Sequence, residues 1–95
     1  MTGHIKEMVE RVSWMSPIDY EILLFFETHD ILVSPKVLSV NIGYDRQYTS
    51  KRCRVLMDAG ILEKDESELY VLSDSGRAFL AGELDAEDLE RDENS

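Results

Sequence analysis

The stretch "DRQYTSKRCRVLMDAGIL", Asp45 to Leu62, places Arg46, Lys51, Arg52 and Arg54 within nine residues, four of the ten lysines and arginines in a chain of net charge −10. Its pattern is helical. Asp45 suits an N-cap, because a short carboxylate accepts the orphan N–H groups of a first turn, and Gly60 suits the exit. At about 100° per residue, Thr49, Cys53, Leu56 and Met57 share one face. Gln47, Ser50, Lys51 and Arg54 fall within an arc of roughly 100° on the other side. One face packs; the other is polar and basic.

Toward the N-terminus, "SPKVLSVN" starts a second helix at Ser34 and Pro35, and Asn41 and Gly43 end it in a tight turn. Before it, "ILV" (31–33) reads as a short extended segment, and "SPIDYEILLFFETHD" as a core helix. There Ser16 is the N-cap, Asp19 favours the positive end of the dipole, and Ile18, Ile22, Phe25 and Phe26 face inward. Toward the C-terminus, "ILEKDESELYVLS" predicts strands over 61–64 and 69–72 joined by a polar turn at 65–68. Ser73 caps a last helix through "DSGRAFLAG". The order helix, short strand, helix, tight turn, helix, hairpin, helix is that of a winged helix-turn-helix, mainly α with a small β-hairpin. We place this domain at 16–82. Residues 1–15 carry an amphipathic stripe, Ile5, Met8, Val9 and Val12, spaced for one helix face. Residues 83–95 form an acidic tail, with six acids between Asp85 and Glu93.

Ninety-five residues support one core but not a cleft between lobes, so a binding module is expected before an enzyme. No apolar run approaches the roughly 20 residues of a membrane span, and the first residues lack the apolar core of a signal peptide. With Cys53 as the single cysteine, these features predict a cytoplasmic protein. Twenty acids against ten bases, four of them lysines, argue against nucleic acid if taken as a sum. An acidic, lysine-poor surface is also how proteins stay hydrated in salt-rich cytoplasm, so overall charge reports habitat and the local cluster reports function.

"SPKVLSVNIGYDRQYTSKRCRVLMDAGILEK" resembles the helix-turn-helix and first wing strand of small prokaryotic repressors of the arsenic-repressor and multiple-antibiotic-resistance type. Their central Ser, basic pair and closing "L-x-x-A-G-[IL]-[LIV]" correspond to Ser50, Lys51, Arg52 and "LMDAGIL". A closer resemblance, from about Trp14 to Glu90, is carried by "WMSPIDYEIL", the same central segment and "YVLSDSGRAFLAGELDAEDLE". It is to the haloarchaeal winged-helix proteins grouped with the phage phi-H repressor. That resemblance implies a DNA-binding transcriptional regulator, a repressor, of a salt-loving archaeon or its virus, and accounts for the acidic composition.

In helix-turn-helix proteins the first turns of the second helix enter the major groove. This makes Arg46, Gln47, Tyr48 and Ser50 the candidates for base edges: Arg pairs with guanine, Gln with adenine, and a Tyr ring can touch a thymine methyl. Lys51 and Arg54 suit phosphates or the next base step. Arg52, on the flank, can equally pair with Asp58 or another acid of its own domain, so it carries less weight as a DNA contact. A homodimer would set two such helices about 34 Å apart on double-stranded DNA. The stripe in 1–15, which could equally pack on its own domain, and the last helix around Phe79 and Leu80 are the candidate interface. The wing turn "KDESE" sets Lys64 beside three acids, which phosphates repel, so a second reading stays open: a protein-interaction module using the acidic wing and tail.

Other chemistry finds little support. Cys53 is expected to be a packed thiol rather than a nucleophile. His4 and His29 lack metal-ligand spacing, and "SDSG" (73–76) reads as a helix cap rather than a phosphate cradle. No cofactor, metal or small-molecule site is expected.

Overall fold

The computed structural model describes residues 14–83. Residues 1–13, with the whole apolar stripe and His4, and the tail from 84 onward lie outside them. Four helices and one antiparallel hairpin follow in order: α1 Pro17–Thr28, α2 Pro35–Ile42, α3 Arg46–Asp58, β1 Leu62–Lys64, β2 Tyr70–Leu72 and α4 Asp74–Leu80. This is the expected winged helix-turn-helix.

Local chemistry sets most boundaries. Proline opens α1 and α2 at the first helical position, where its missing N–H costs nothing. The Ser34 hydroxyl accepts the Val37 N–H at 3.2 Å. Gly43 takes φ 76°, a left-handed conformation in which a side chain is strained, and the N–H groups of Gly43 and Tyr44 both reach the Ser39 carbonyl. Asn41 remains inside α2, donating to the Val37 carbonyl at 2.9 Å, so Gly43 alone makes the turn. At the far end of α3, Gly60 donates to Met57 and Ile61 to Leu56, the paired bonds of a Schellman exit.

Both strands are one residue shorter than expected, and for a visible reason. Ile61 is occupied with closing α3, and its carbonyl accepts from the Ser73 backbone and hydroxyl. Leu69 gives its N–H to the Asp65 side chain. Of the segment 31–33, Val33 alone joins the sheet, exchanging two backbone hydrogen bonds with Tyr70. The last helix stops at Leu80 rather than running through Gly82, which turns left-handed at φ 82°.

The core lies where α1, α3, α4 and the hairpin converge. Ile18, Ile22, Leu23 and Phe26 from α1 meet Leu38, Cys53, Leu56, Ile61, Leu62, Leu72 and Phe79. Burial of such side chains stabilises by about 1.5–3 kcal/mol each. Two expectations are corrected. Phe25 is only half-buried, on the flank of α1, where it meets the Phe26 ring edge-on and stacks on His29 at 4.6 Å. Phe79 and Leu80 are buried in the domain's own core, at 2% and 5% exposure, so they are not available as a dimer face.

Candidate nucleic-acid interface

Three devices hold α3. At its start, the Asp45 carboxylate accepts the Tyr48 N–H at 2.9 Å and the Asp45 carbonyl accepts the Thr49 hydroxyl at 2.7 Å, with Thr49 fully buried. Along its inward face, Cys53 and Leu56 are fully buried and Met57 partly so, as its spacing predicts. Burial, reinforced by the charge of Asp19, pushes the Cys53 thiol up to about 12, which keeps it protonated and unreactive.

The third device is Arg52. Its Nε donates to Asp19 Oδ1 at 3.0 Å, one terminal nitrogen donates to Oδ2 at 2.6 Å, and that nitrogen also reaches the Trp14 carbonyl at 3.2 Å. The partner is therefore an acid of α1, not Asp58. Asp19 is fully buried, and its Oδ2 also accepts the Ser16 N–H at 2.9 Å, so one carboxylate caps α1 and clamps α3. The hydrogen bond to Asp19 holds the Arg52 guanidinium above its usual range, against the opposing effect of burial. Arg52 is thereby withdrawn from the outer face.

The other cations of α3 are left outward. Arg46, Gln47, Lys51 and Arg54 are exposed, Tyr48 is 40% exposed, and Ser50 is half-buried at the edge. No ion pair joins Arg46, Lys51 or Arg54 to another described residue; the described pairs are Arg52–Asp19, Lys64–Glu68 and Arg77–Asp30. Residues 34–57 hold five cations and one acid, net +4, in a chain of twenty acids. That acid, Asp45, is engaged as the N-cap. The helix-turn-helix is thus a basic island on an acidic protein.

The wing has the opposite sign. The Asp65 carboxylate is turned inward on the N–H groups of Ser67 and Leu69, and Glu68 sits at φ 67°. Lys64 pairs with Glu68 at 3.2 Å, so the single wing cation is neutralised locally. Glu63 and Glu66 remain exposed. Among the described residues no group of His, Cys, Asp and Glu could hold a metal ion, and no helix is long and apolar enough to cross a membrane. Ser73 caps α4 by accepting the Gly76 N–H at 2.9 Å.

One exposed group escaped the sequence reading. Tyr44, 37% exposed, stands just before the α3 N-cap with its ring 6.4 Å from that of Tyr48. Its signal was an aromatic residue in a turn that otherwise favours small polar ones.

Residues 8–92 match the model of the winged helix-turn-helix phage repressor family. A protein of Halobacterium phage phiH, described as a repressor protein, is 38% identical over 94 residues, covering 88% of this chain and 99% of the relative. No solved structure matches.

Proposed function

Because the chain belongs to the family of winged helix-turn-helix phage repressors, we propose that it is a sequence-specific regulator of transcription that represses by binding double-stranded DNA as a homodimer. The observation that carries this reading is the basic island: three exposed cations of α3, Arg46, Lys51 and Arg54, with no ion pair among the described residues, in a chain of net charge −10. Phosphates attract that face and repel the rest of the surface, which orients the protein before any base is read.

In this reading α3 lies in the major groove. Arg46, Gln47, Tyr48 and Ser50, in or next to its first turn, meet base edges, while Lys51 and Arg54 sit on phosphates or the next step. The domain 16–82 supplies recognition. Dimerisation falls to the stripe in 1–15, since Phe79 and Leu80 are spent on the core. The resemblance to a halobacterial phage protein and the acidic surface together suit the salt-rich cytoplasm of an archaeal cell. Salt weakens phosphate contacts steeply, so base contacts and dimerisation carry a larger share of affinity there.

The second reading, a protein-interaction module, draws on the wing, whose exposed Glu63 and Glu66 offer phosphates nothing. Selection from a random duplex library in molar potassium chloride separates the two. The regulator enriches a palindrome that Arg46→Ala and Gln47→Ala lose or alter. A folded protein that enriches nothing over a mock column removes the DNA reading and leaves the acidic wing as the surface to pursue.

A further inference from the structure

Exposed apolar side chains are unevenly placed on this protein. Of the six large hydrophobic residues exposed among the described residues, four lie between Val37 and Tyr48: Val37 at 48%, Val40 at 75%, Tyr44 at 37% and Tyr48 at 40%. Val37 and Val40 are three residues apart on α2 and so share a face. Tyr44 follows the Gly43 turn, and its ring, tilted 50° and 6.4 Å from Tyr48, carries the apolar surface from the turn onto the first turn of α3. All four lie within the basic island, where Asp45 is the one acid and is already engaged.

That coincidence restricts the partner. The cations around the patch select an anionic partner, and its apolar side chains select one that carries apolar points. A polyanion with apolar points on its reading edge fits both features. Double-stranded DNA presents one such point per A·T pair, the thymine 5-methyl in the major groove. Methyl contacts also release no counterions, so they persist in salt that erodes Lys and Arg contacts.

We infer that Tyr44, with Val40 beside the turn and Tyr48 on α3, forms a second reading edge that takes thymine methyl groups next to the bases met by the polar residues of α3. This rests on the DNA reading and adds specificity-determining residues on the turn and on α2. Tyr44 fixes which flanking pairs are A·T; Val40 adds a weaker contact of the same kind.

The test uses the full chain and the duplex enriched from the library. Each thymine is replaced in turn by deoxyuridine, which lacks the methyl and keeps every hydrogen-bonding group, and affinity is measured in molar potassium chloride. At one or two positions the wild type is expected to lose about fourfold per methyl, the cost of leaving one such group unburied. Tyr44→Ala should bind the parent duplex more weakly and be insensitive to deoxyuridine there, whereas Tyr44→Phe keeps the sensitivity. Val40→Ala, on a surface residue that cannot disturb the core, should show partial insensitivity. If the duplex binds tightly but deoxyuridine costs wild type and Tyr44→Ala alike, the inference is overturned while the DNA reading stands. Dissociation of a dimer by Val40→Ala or Tyr44→Ala in sedimentation would also overturn it, by showing a protein contact. A library from which nothing enriches defeats the DNA reading and this edge with it.

Discussion

Gly76 shows how little room one residue can have. A methyl group there would overlap the Ile61 carbonyl oxygen and press on Leu72 Cδ1, because α4 begins directly against the start of the hairpin. Gly76→Ala is expected to destabilise by about 1–3 kcal/mol, the cost of overpacking, read as a lower urea midpoint with unchanged slope. Cys53 sets a second residue-scale expectation. Its thiol titrates at about 12 when folded, against 9.0 for an ordinary thiol. Between these values the folded state keeps a proton that the unfolded state has lost, so stability falls as pH rises. The contribution is complete below pH 9 and fades toward pH 12. Urea titrations of wild type and Cys53→Ala across this range should show the extra decline in wild type alone. A parallel decline in both would assign it to other groups.

At the scale of elements, the Arg52–Asp19 clamp decides where α3 points. The carboxylate is fully buried and takes three hydrogen bonds. Arg52→Ala strands it without a counter-charge, for an expected loss of about 3 kcal/mol. Arg52→Lys restores the charge but not the two-pronged geometry and should recover only part. If Arg52→Ala costs under about 1 kcal/mol in urea unfolding, the pair is a surface contact in energetic terms. This clamp also marks the limit of what the sequence disclosed. The Ser-Pro starts, the Asp45 cap, the Gly43 turn and the Ala-Gly exit were legible because each is written within four or five residues. The basic outer face of α3 followed from helical period alone. Arg52's partner lies 33 residues away, among many acids of equal promise, and only packing selects Asp19. Phe79 and Leu80 misled for the same reason: their apolar character was plain, but whether a core or a second chain covers them is a tertiary fact.

Over the whole molecule, charge is partitioned rather than diluted. Residues 34–57 carry net +4 and the chain as a whole −10, so affinity for DNA should depend on salt through few cations. Lys51→Ala is expected to weaken binding to all duplexes about equally and to lower the slope of log affinity against log salt by about 1 per protomer. Gln47→Ala should leave that slope unchanged and shift base preference. Equal slopes for wild type and Lys51→Ala would place Lys51 off the phosphates. On the proposed DNA reading, the acidic remainder of the surface disfavours nonspecific DNA and so favours discrimination.

The bridge between Val33 and Tyr70 joins parts that the chain order keeps far apart. Each residue donates to the other's carbonyl, at 2.9 and 2.8 Å, and the residue after Val33 is Ser34, the cap of α2. Mechanically the hairpin is a lever and this bridge its fulcrum. A load on the wing turn is delivered one residue from the seat of α2, and α2 packs chiefly on α3. A partner that loads the acidic wing is expected to reach α3 through this bridge, and amide exchange at Val33 and Tyr70 should then quicken together.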